Sequence, residues 1–147
     1  MVGHMFNPDL SVGIGWQRDG EIVCGAAFTD YNGININMHI AKLDGETFPP
    51  TFIAAIFDYP FNQVGVRRMT GLIPESNAAS IAFAERVGGV REGVLRDGAR
   101  DGNLVIYGLL RSEADRWLTA SFARRLKRQG GSDGRNLQGQ PVAAATA

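Results

Sequence analysis

The chain is short of the residues that build most catalytic centres: it has one cysteine, Cys24, and two histidines, His4 and His39. One cysteine excludes an intramolecular disulfide and any Cys-cluster metal site. Two histidines far apart in sequence, without an HExxH or comparable spacing, argue against zinc, so no metal is expected. Net charge is missing too. Fifteen Lys and Arg balance fifteen Asp and Glu, so no overall field draws the chain to nucleic acid or a membrane surface. No apolar run approaches the roughly 18 residues of a membrane span, and the N-terminus lacks the basic and apolar sections of a signal peptide, which makes a cytoplasmic location the expectation. There is no GxSxG elbow and no GxxxxGK[ST] phosphate loop. Gly13-Ile14-Gly15-Trp16 opens a strand rather than a strand-to-helix turn, which rules out a dinucleotide fingerprint there. Hydrolases and kinases lose ground on these absences.

What is present fits one globular domain. A chain of 147 residues, 44% hydrophobic and 20% charged, is long enough for one core and too short for two ordinary domains. Residues 1–128 read as that domain. Residues 129–147, GGSDGRNLQGQPVAAATA after Gln129, have little that builds a core and read as a flexible or peripheral tail. Cys24 lies in an apolar run and is expected to be a buried structural thiol.

Along the chain, Ser11 to Gln17 and Glu21 to Thr29 flank Arg18-Asp19-Gly20 and predict a hairpin. Asn32-Gly33 makes a second turn into a strand in which Ile34, Ile36, Met38 and Ile40 alternate with Asn35, Asn37, His39 and Ala41. Strict alternation implies a half-buried strand, with Asn and His on the face opposite the isoleucines. Phe52, Ile53, Ile56, Phe57, Phe61 and Val64 then recur at helical spacing. Pro49 and Pro50 suit a helix start, and Pro60 predicts a kink there or a stop near Tyr59. Val66 to Ile73 is the next strand. Asn77 is an N-cap before an Ala-rich helix that Gly88-Gly89 ends, and Val90 to Arg96 and Leu104 to Arg111 are two further strands. Asp97-Gly98 and Asp101-Gly102 read as turns between these last two strands. Ala114, Trp117, Leu118, Phe122 and Leu126 mark a terminal amphipathic helix. The order is β-β-β-α-β-α-β-β-α, an α/β (mixed α+β) class with a mixed, mostly antiparallel sheet flanked by helices.

The stretch Leu72 to Arg111 carries a resemblance. Its NAASIAFAERVGGVREGVLR followed by NLVIYGLLRSE resembles the C-terminal half of the GCN5-related N-acetyltransferases, nearest the branch of ribosomal-protein and small-amine acetyltransferases and similar to short phage members. Asn77, Ser80, Gly88, Glu92, Gly93, Arg96, Tyr107 and Gly108 match the pattern, and Ser11 to Trp117 follows its element order. The resemblance implies a splayed strand pair that admits acetyl-CoA, with the pantetheine arm along Met38, Ile40 and Ala41. It places the pyrophosphate on backbone amides from Gly45, Glu46 and Thr47 to Thr51, and Asn77 and Ser80 facing the thiol arm. Amides at a helix N-terminus favour a diphosphate without a basic side chain. The implied function is acetyl-CoA-dependent acetylation of a primary amine, on a small molecule or a protein, by direct attack on the thioester.

The chain departs from the family at three places. The pyrophosphate loop, usually Gln/Arg-x-x-Gly-x-Gly/Ala, is here Asp44-Gly45-Glu46-Thr47-Phe48-Pro49-Pro50-Thr51, in which two prolines lack amides and Glu46 carries the wrong charge. The tyrosine acid of many members is Ala84, which leaves Ser80, Asn77, water or no acid for the thiolate. Residues 1–10 stand where the family has a strand and two helices, so the acceptor side is expected to be truncated or completed by a second subunit, and a homodimer is expected. Against the enzyme stands a non-catalytic interaction protein that keeps the fold but has an altered loop. The candidate catalytic residues are Asn77, Ser80 and His39. Each has a plainer reading: Asn77 as a cap alone, Ser80 as a first-turn residue, His39 as a hydrogen-bonded strand histidine. Glu75 and Glu92 read as surface carboxylates, and Tyr107 as sheet packing. Arg124, Arg125, Lys127 and Arg128 read as a helix-end cluster that suits the dipole.

Overall fold

A computed structural model describes residues 10–118. Six strands form one sheet: β1 (Val12–Arg18), β2 (Glu21–Thr29), β3 (Asn35–Lys42), β4 (Arg68–Pro74), β5 (Val90–Ala99) and β6 (Gly102–Leu110). Their order across the sheet is β1-β2-β3-β4-β6-β5, and only β3 and β4 run parallel. Helices α1 (Pro50–Asp58), α2 (Ala78–Arg86) and α3 (Asp115–Leu118), with a π-helical turn after α1, are the other described elements. The expected continuation of the last helix through Phe122 and Leu126, the Arg124 to Arg128 cluster, His4 and residues 129–147 lie outside the described residues.

Local chemistry explains most boundaries. The β1–β2 hairpin turns through Asp19 (φ 51°) and Gly20 (φ 88°), the left-handed pair that a two-residue hairpin demands. The turn before β3 is tied by Asn32, whose Oδ1 accepts from the amides of Ile34 at 3.0 Å and Asn35 at 2.8 Å. Pro50 takes the first position of α1, and α-helical bonding stops at Asp58, as Pro60 requires. The chain does not leave the helix there. It widens into a π turn over Tyr59–Val64, closed by the Gly65 amide on the Pro60 carbonyl at 2.9 Å. Asp58 accepts from Asn62 and Gln63, and burial of Pro60 and Phe61 rewards the extra turn. Asp97-Gly98 corrects an expectation. It is an irregularity inside β5, with Asp97 at φ 53°, and the chain reverses at Arg100 and Asp101 instead.

One core holds α1 and α2 on the same face of the sheet. Phe52, Ile56, Phe57 and Phe61 pack there with Phe83 of α2 and Val87 at its C-cap, against Phe28, Ile36, Met69 and Leu109 of the strands. Each large side chain so buried contributes on the order of 2 kcal/mol from lost apolar exposure. Trp117 stacks on Phe57 at 5.9 Å and donates its indole N–H to the Val87 carbonyl at 3.0 Å, which joins α3 to both helices. Cys24 is 2% exposed within this core.

Candidate active site

β3 and β4 pair at three positions only, Asn35 with Arg68, Ile36 with Met69 and Asn37 with Thr70. Beyond them β3 stays on β2 as far as Lys42, while β4 stays on β6 as far as Pro74. Two neighbouring strands that each follow a different partner must part. The wedge opens at their carboxyl ends, and both α1 and α2 begin there. Crevices of this kind at strand ends are where open α/β sheets hold ligands.

Hydrogen-bond alternation tells which backbone groups face the wedge. The Leu43 amide donates to the Val23 carbonyl at 2.9 Å, and the Ile34 carbonyl accepts from the amides of Arg67 and Arg68. Odd residues of β3 therefore bond to β2, and even ones point toward β4. Past Asn37, the N–H and C=O of Met38 and Ile40 face the wedge, whereas the amide of Ala41 belongs to the β2 ladder. On the other wall, the Arg111 amide bonds to the Arg67 carbonyl and the Glu75 amide to the Asn103 carbonyl, so Leu72 presents its backbone to the wedge. Met38 and Ile40 thus belong to the wedge and to the core at once, with backbone in the wedge and side chains under the helices.

The loop from β3 to α1 has few donors. Gly45 turns the chain at φ 79°, the Glu46 amide is spent on the Leu43 carbonyl at 3.1 Å, and Pro49 and Pro50 have none. Thr47 is exposed in this loop. The Ile53 amide already bonds to the Pro49 carbonyl at 3.0 Å. The amides of Thr51 and Phe52 therefore remain as the open donors of the first turn of α1. Glu46 does not oppose an anion as its charge alone suggests, because Arg18 donates to both its carboxylate oxygens. Phe48, which the sequence pattern did not single out, stacks on Phe52 of α1 at 5.6 Å and meets Phe83 of α2 at 5.1 Å. It bridges the two helices that flank the wedge.

At α2, the Asn77 Oδ1 accepts from the Ser80 amide at 3.0 Å, a side-chain N-cap. Ser76 donates to Asp101 at 2.5 Å, and Glu75 accepts from Asn103 at 2.9 Å and from Arg91 at 3.1 Å. These contacts pin the start of α2 to the β5–β6 hairpin. Asn103 and then Arg91 hold the Glu75 carboxyl below its usual range.

His39 lies across the sheet from Asn77 and Ser80, with the wedge between them. It is half-buried on the face opposite the core, one residue past the last β3–β4 pair is Met38 and the next is His39. Among the described residues no helix covers this face. Asn35, Asn37, Thr70 and Arg68 share it, and at its far side Arg68 donates to both oxygens of Glu92, at 3.0 and 2.6 Å. Glu92 is thus half of an ion pair, whose arginine holds its carboxyl below the usual range. The pair lies over β6, where a Cβ on Gly108 would collide with the Glu92 carboxylate.

Two other groups are poor reagents. Burial, chiefly, with the Glu46 charge adding and Arg18 opposing, pushes the Cys24 thiol up to about 11. Tyr107 packs under the sheet at 4% exposure and donates to Glu85 at 2.9 Å. Burial first, and that bond second, raise its pKa, which fits packing rather than acid catalysis. A shallow depression lined by Val94, Leu95, Arg96, Asp97 and Asn103 sits at the β5–β6 hairpin, away from the unpaired amides of the wedge. No group of three or more His, Cys, Asp or Glu among the described residues is arranged to hold a metal, and none of the described helices is long and apolar enough to cross a membrane.

No family model and no curated protein matches the chain. Solved structures do. A spermidine N-acetyltransferase from Vibrio cholerae, in complex with CoA and spermine, superposes with TM-score 0.63 at 17% identity, over 76% of this chain and 70% of that one. A protein of T. thermophilus assigned as an acetyltransferase gives TM-score 0.63 at 19% identity over 81% and 66%. Another protein so assigned gives 0.63 at 21% identity over 71% and 64%. The six-stranded, mostly antiparallel sheet with its flanking helices is the fold of the GCN5-related N-acetyltransferases.

Proposed function

We propose that this protein is an acetyl-CoA-dependent N-acetyltransferase acting on a primary amine. The observation that carries the reading is the β3–β4 wedge, in which unpaired backbone of Met38 and Ile40 faces unpaired backbone of Leu72. A pantetheine arm, itself a chain of amides, can complete such a broken ladder as a third strand would. The residues fit the group. Met38, Ile40 and Leu72 offer amide partners, and Thr51 and Phe52 offer the first-turn amides of α1 to the diphosphate. That turn contains no acidic side chain, so its dipole favours an anion. Gly45, Glu46 and Thr47 would shape the loop beside the diphosphate, with the Glu46 charge held by Arg18.

Acetyl-CoA supplies an activated acetyl group. The wedge amide of Met38 or Ile40 would polarise the thioester carbonyl, a donor fixed before the reaction begins. From the uncovered face His39 would take the proton of the incoming ammonium, and the amine would attack directly. Breaking of the carbon–sulfur bond would accompany formation of the amide bond, with the thiolate taking its proton from the attacking nitrogen, from water or from the Ser80 hydroxyl on the other face, where the Asn77 amide could only donate a hydrogen bond. Spermine in the V. cholerae structure supports an amine acceptor. Among the described residues no strand pairs with the outer edges of β1 and β5, which favours a homodimer, whose mass light scattering reads directly.

Acetyl-CoA at about 100 times its dissociation constant should add about 2.7 kcal/mol of stability. For a chain of this size that raises Tm by about 8 °C. No shift at millimolar acetyl-CoA would favour the second reading, a non-catalytic interaction protein of the same fold. One observation supports that alternative: Pro49, Pro50 and the spent Glu46 amide leave α1 few donors for a diphosphate.

A further inference from the structure

On the uncovered face the side chains of neighbouring strands form one directional hydrogen-bond line. At one end Arg68 gives its Nε–H to Thr70 at 3.1 Å, and a guanidinium can only donate. Thr70 passes its single proton to Asn35 Oδ1 at 2.7 Å. Asn35 then donates to Asn37 Oδ1 at 3.2 Å, and Asn37 donates to Asp30 Oδ2 at 3.0 Å. Thr29 reaches the same oxygen from the other side, donating at 2.7 Å. Asp30 can only accept, so both arms converge on it. The end of β2 is built to present it there, since Asp30 adopts φ 53°, a left-handed conformation that aspartate tolerates better than most residues.

The consequence falls on His39. Its Nε2 lies 3.2 Å from Thr29 Oγ1, and a hydroxyl has one proton to give. That proton goes to the shorter, charge-assisted bond with Asp30. Thr29 can then only accept from His39, which requires a proton on Nε2. A neutral imidazole with Nε2–H carries its lone pair on Nδ1.

We propose that Thr29 and Asp30 are positioning residues for His39, holding it in the Nε2–H tautomer so that the basic lone pair is on Nδ1. The proposal rests on the acetyltransferase reading for its chemistry but not for its geometry. When the amine proton moves to Nδ1, the imidazolium keeps its Nε2–H bond to Thr29, and the Asp30 carboxylate two bonds away stabilises the new charge. No proton passes to Asp30. Among the described residues, the charged groups of this face that bear on His39 are Asp30 and, further along the line, Arg68 neutralised by Glu92. The neighbouring positions of β2 are Gly25 and Ala27, and those of β4 beyond the wedge are Leu72 and Pro74.

The test reads the tautomer directly. With only His4 and His39 in the chain, an H39Q spectrum assigns the ring nitrogens in long-range proton–nitrogen NMR at a pH where the ring is neutral. The full-length wild type and Thr29→Ser should show Nε2–H, and Thr29→Val and Asp30→Asn a mixture or the Nδ1–H form. The same tautomer in wild type and T29V, or Nδ1–H in the wild type, would overturn the proposal. In acetyl transfer, T29V should lower kcat at least about tenfold, part of the roughly 100- to 10,000-fold that general base catalysis supplies. KM for acetyl-CoA should stay unchanged, and T29S should restore the rate. An unchanged kcat in T29V overturns the positioning role. The expected tautomers in a protein that binds no acetyl-CoA would overturn only the acetyltransferase reading.

Discussion

Replacing Pro50 with alanine should make the protein slightly less stable and a better receptor for CoA. Helix α1 has Pro49 as its cap and Pro50 as its first residue, so it lacks two of the four amides that a helix start normally leaves open. Pro50 is exposed, so alanine fits there, and it adds one N–H to the pair supplied by Thr51 and Phe52. A hydrogen bond to a charged partner is worth about 1.5–3 kcal/mol, and at an exposed helix end the lower figure applies. About 1.5 kcal/mol is roughly a tenfold lower Kd. The same change frees the unfolded chain and costs about 0.4–1 kcal/mol of folding stability, a fall in Tm of roughly 1–3 °C. Stability and affinity therefore move in opposite directions, which a general disturbance of the loop would not produce. Isothermal titration with CoA, and with pantetheine as the ligand lacking the diphosphate, separates the contributions. P50A should tighten CoA and leave pantetheine alone. An unchanged CoA affinity in a variant with intact helical circular dichroism would refute the placing of the diphosphate at this helix start.

Two further substitutions test how the frame around the wedge is held. Gly89→Ala should cost about 1–3 kcal/mol in chemical denaturation, the range for overpacking, because its Cβ would stand 2.9 Å from the Ala84 carbonyl oxygen, with the Tyr107 ring at 3.6 Å; a loss below about 0.5 kcal/mol would contradict that approach. The Arg68–Glu92 pair is partly exposed, so Glu92→Gln should remove at most about 1 kcal/mol at neutral pH. The Glu92 pKa is depressed in the folded state from its ordinary value of 4.5, so its contribution is present above that value and is lost as pH falls through the lower folded one. The gap between wild type and E92Q should close in acid while Arg68 stays charged, and a gap that ignores pH would refute the pairing.

Much of the frame was legible because its causes are local. Asp19-Gly20 makes its hairpin from two residues' own conformations, Pro50 starts α1 because a missing donor is harmless there, and Asn77 caps α2 with its own side chain. Asp97-Gly98 has the same local chemistry as a turn and is not one. The Asp97 amide finds Asn103 Oδ1 at 3.2 Å across the hairpin, and that partner lets the strand continue to Ala99. A dipeptide states which backbone angles are cheap, and tertiary contacts decide what they are used for. The Glu46 charge misleads in the same way, since its neutralising Arg18 is 28 positions earlier in the chain.

The candidate site follows from one such long-range event, the placing of β4 beside β3. Alternation in Asn35-Ile36-Asn37-Met38-His39 shows which side chains share a face, and it placed His39 with the two asparagines. It cannot show that Thr70 and Arg68, distant in sequence, will anchor that row, nor that pairing will end at Asn37. Both depend on the crossover through α1, which returns the chain parallel to β3 while β6 claims the rest of β4. The crossover therefore does two things at once. It strips the partners from Met38 and Ile40, and it supplies the donor line that converges on Asp30 and orients His39 just beyond the last rung. A substitution at Thr70 should consequently disturb the His39 face and the vertex of the wedge together, whereas one at Thr29 should disturb His39 alone.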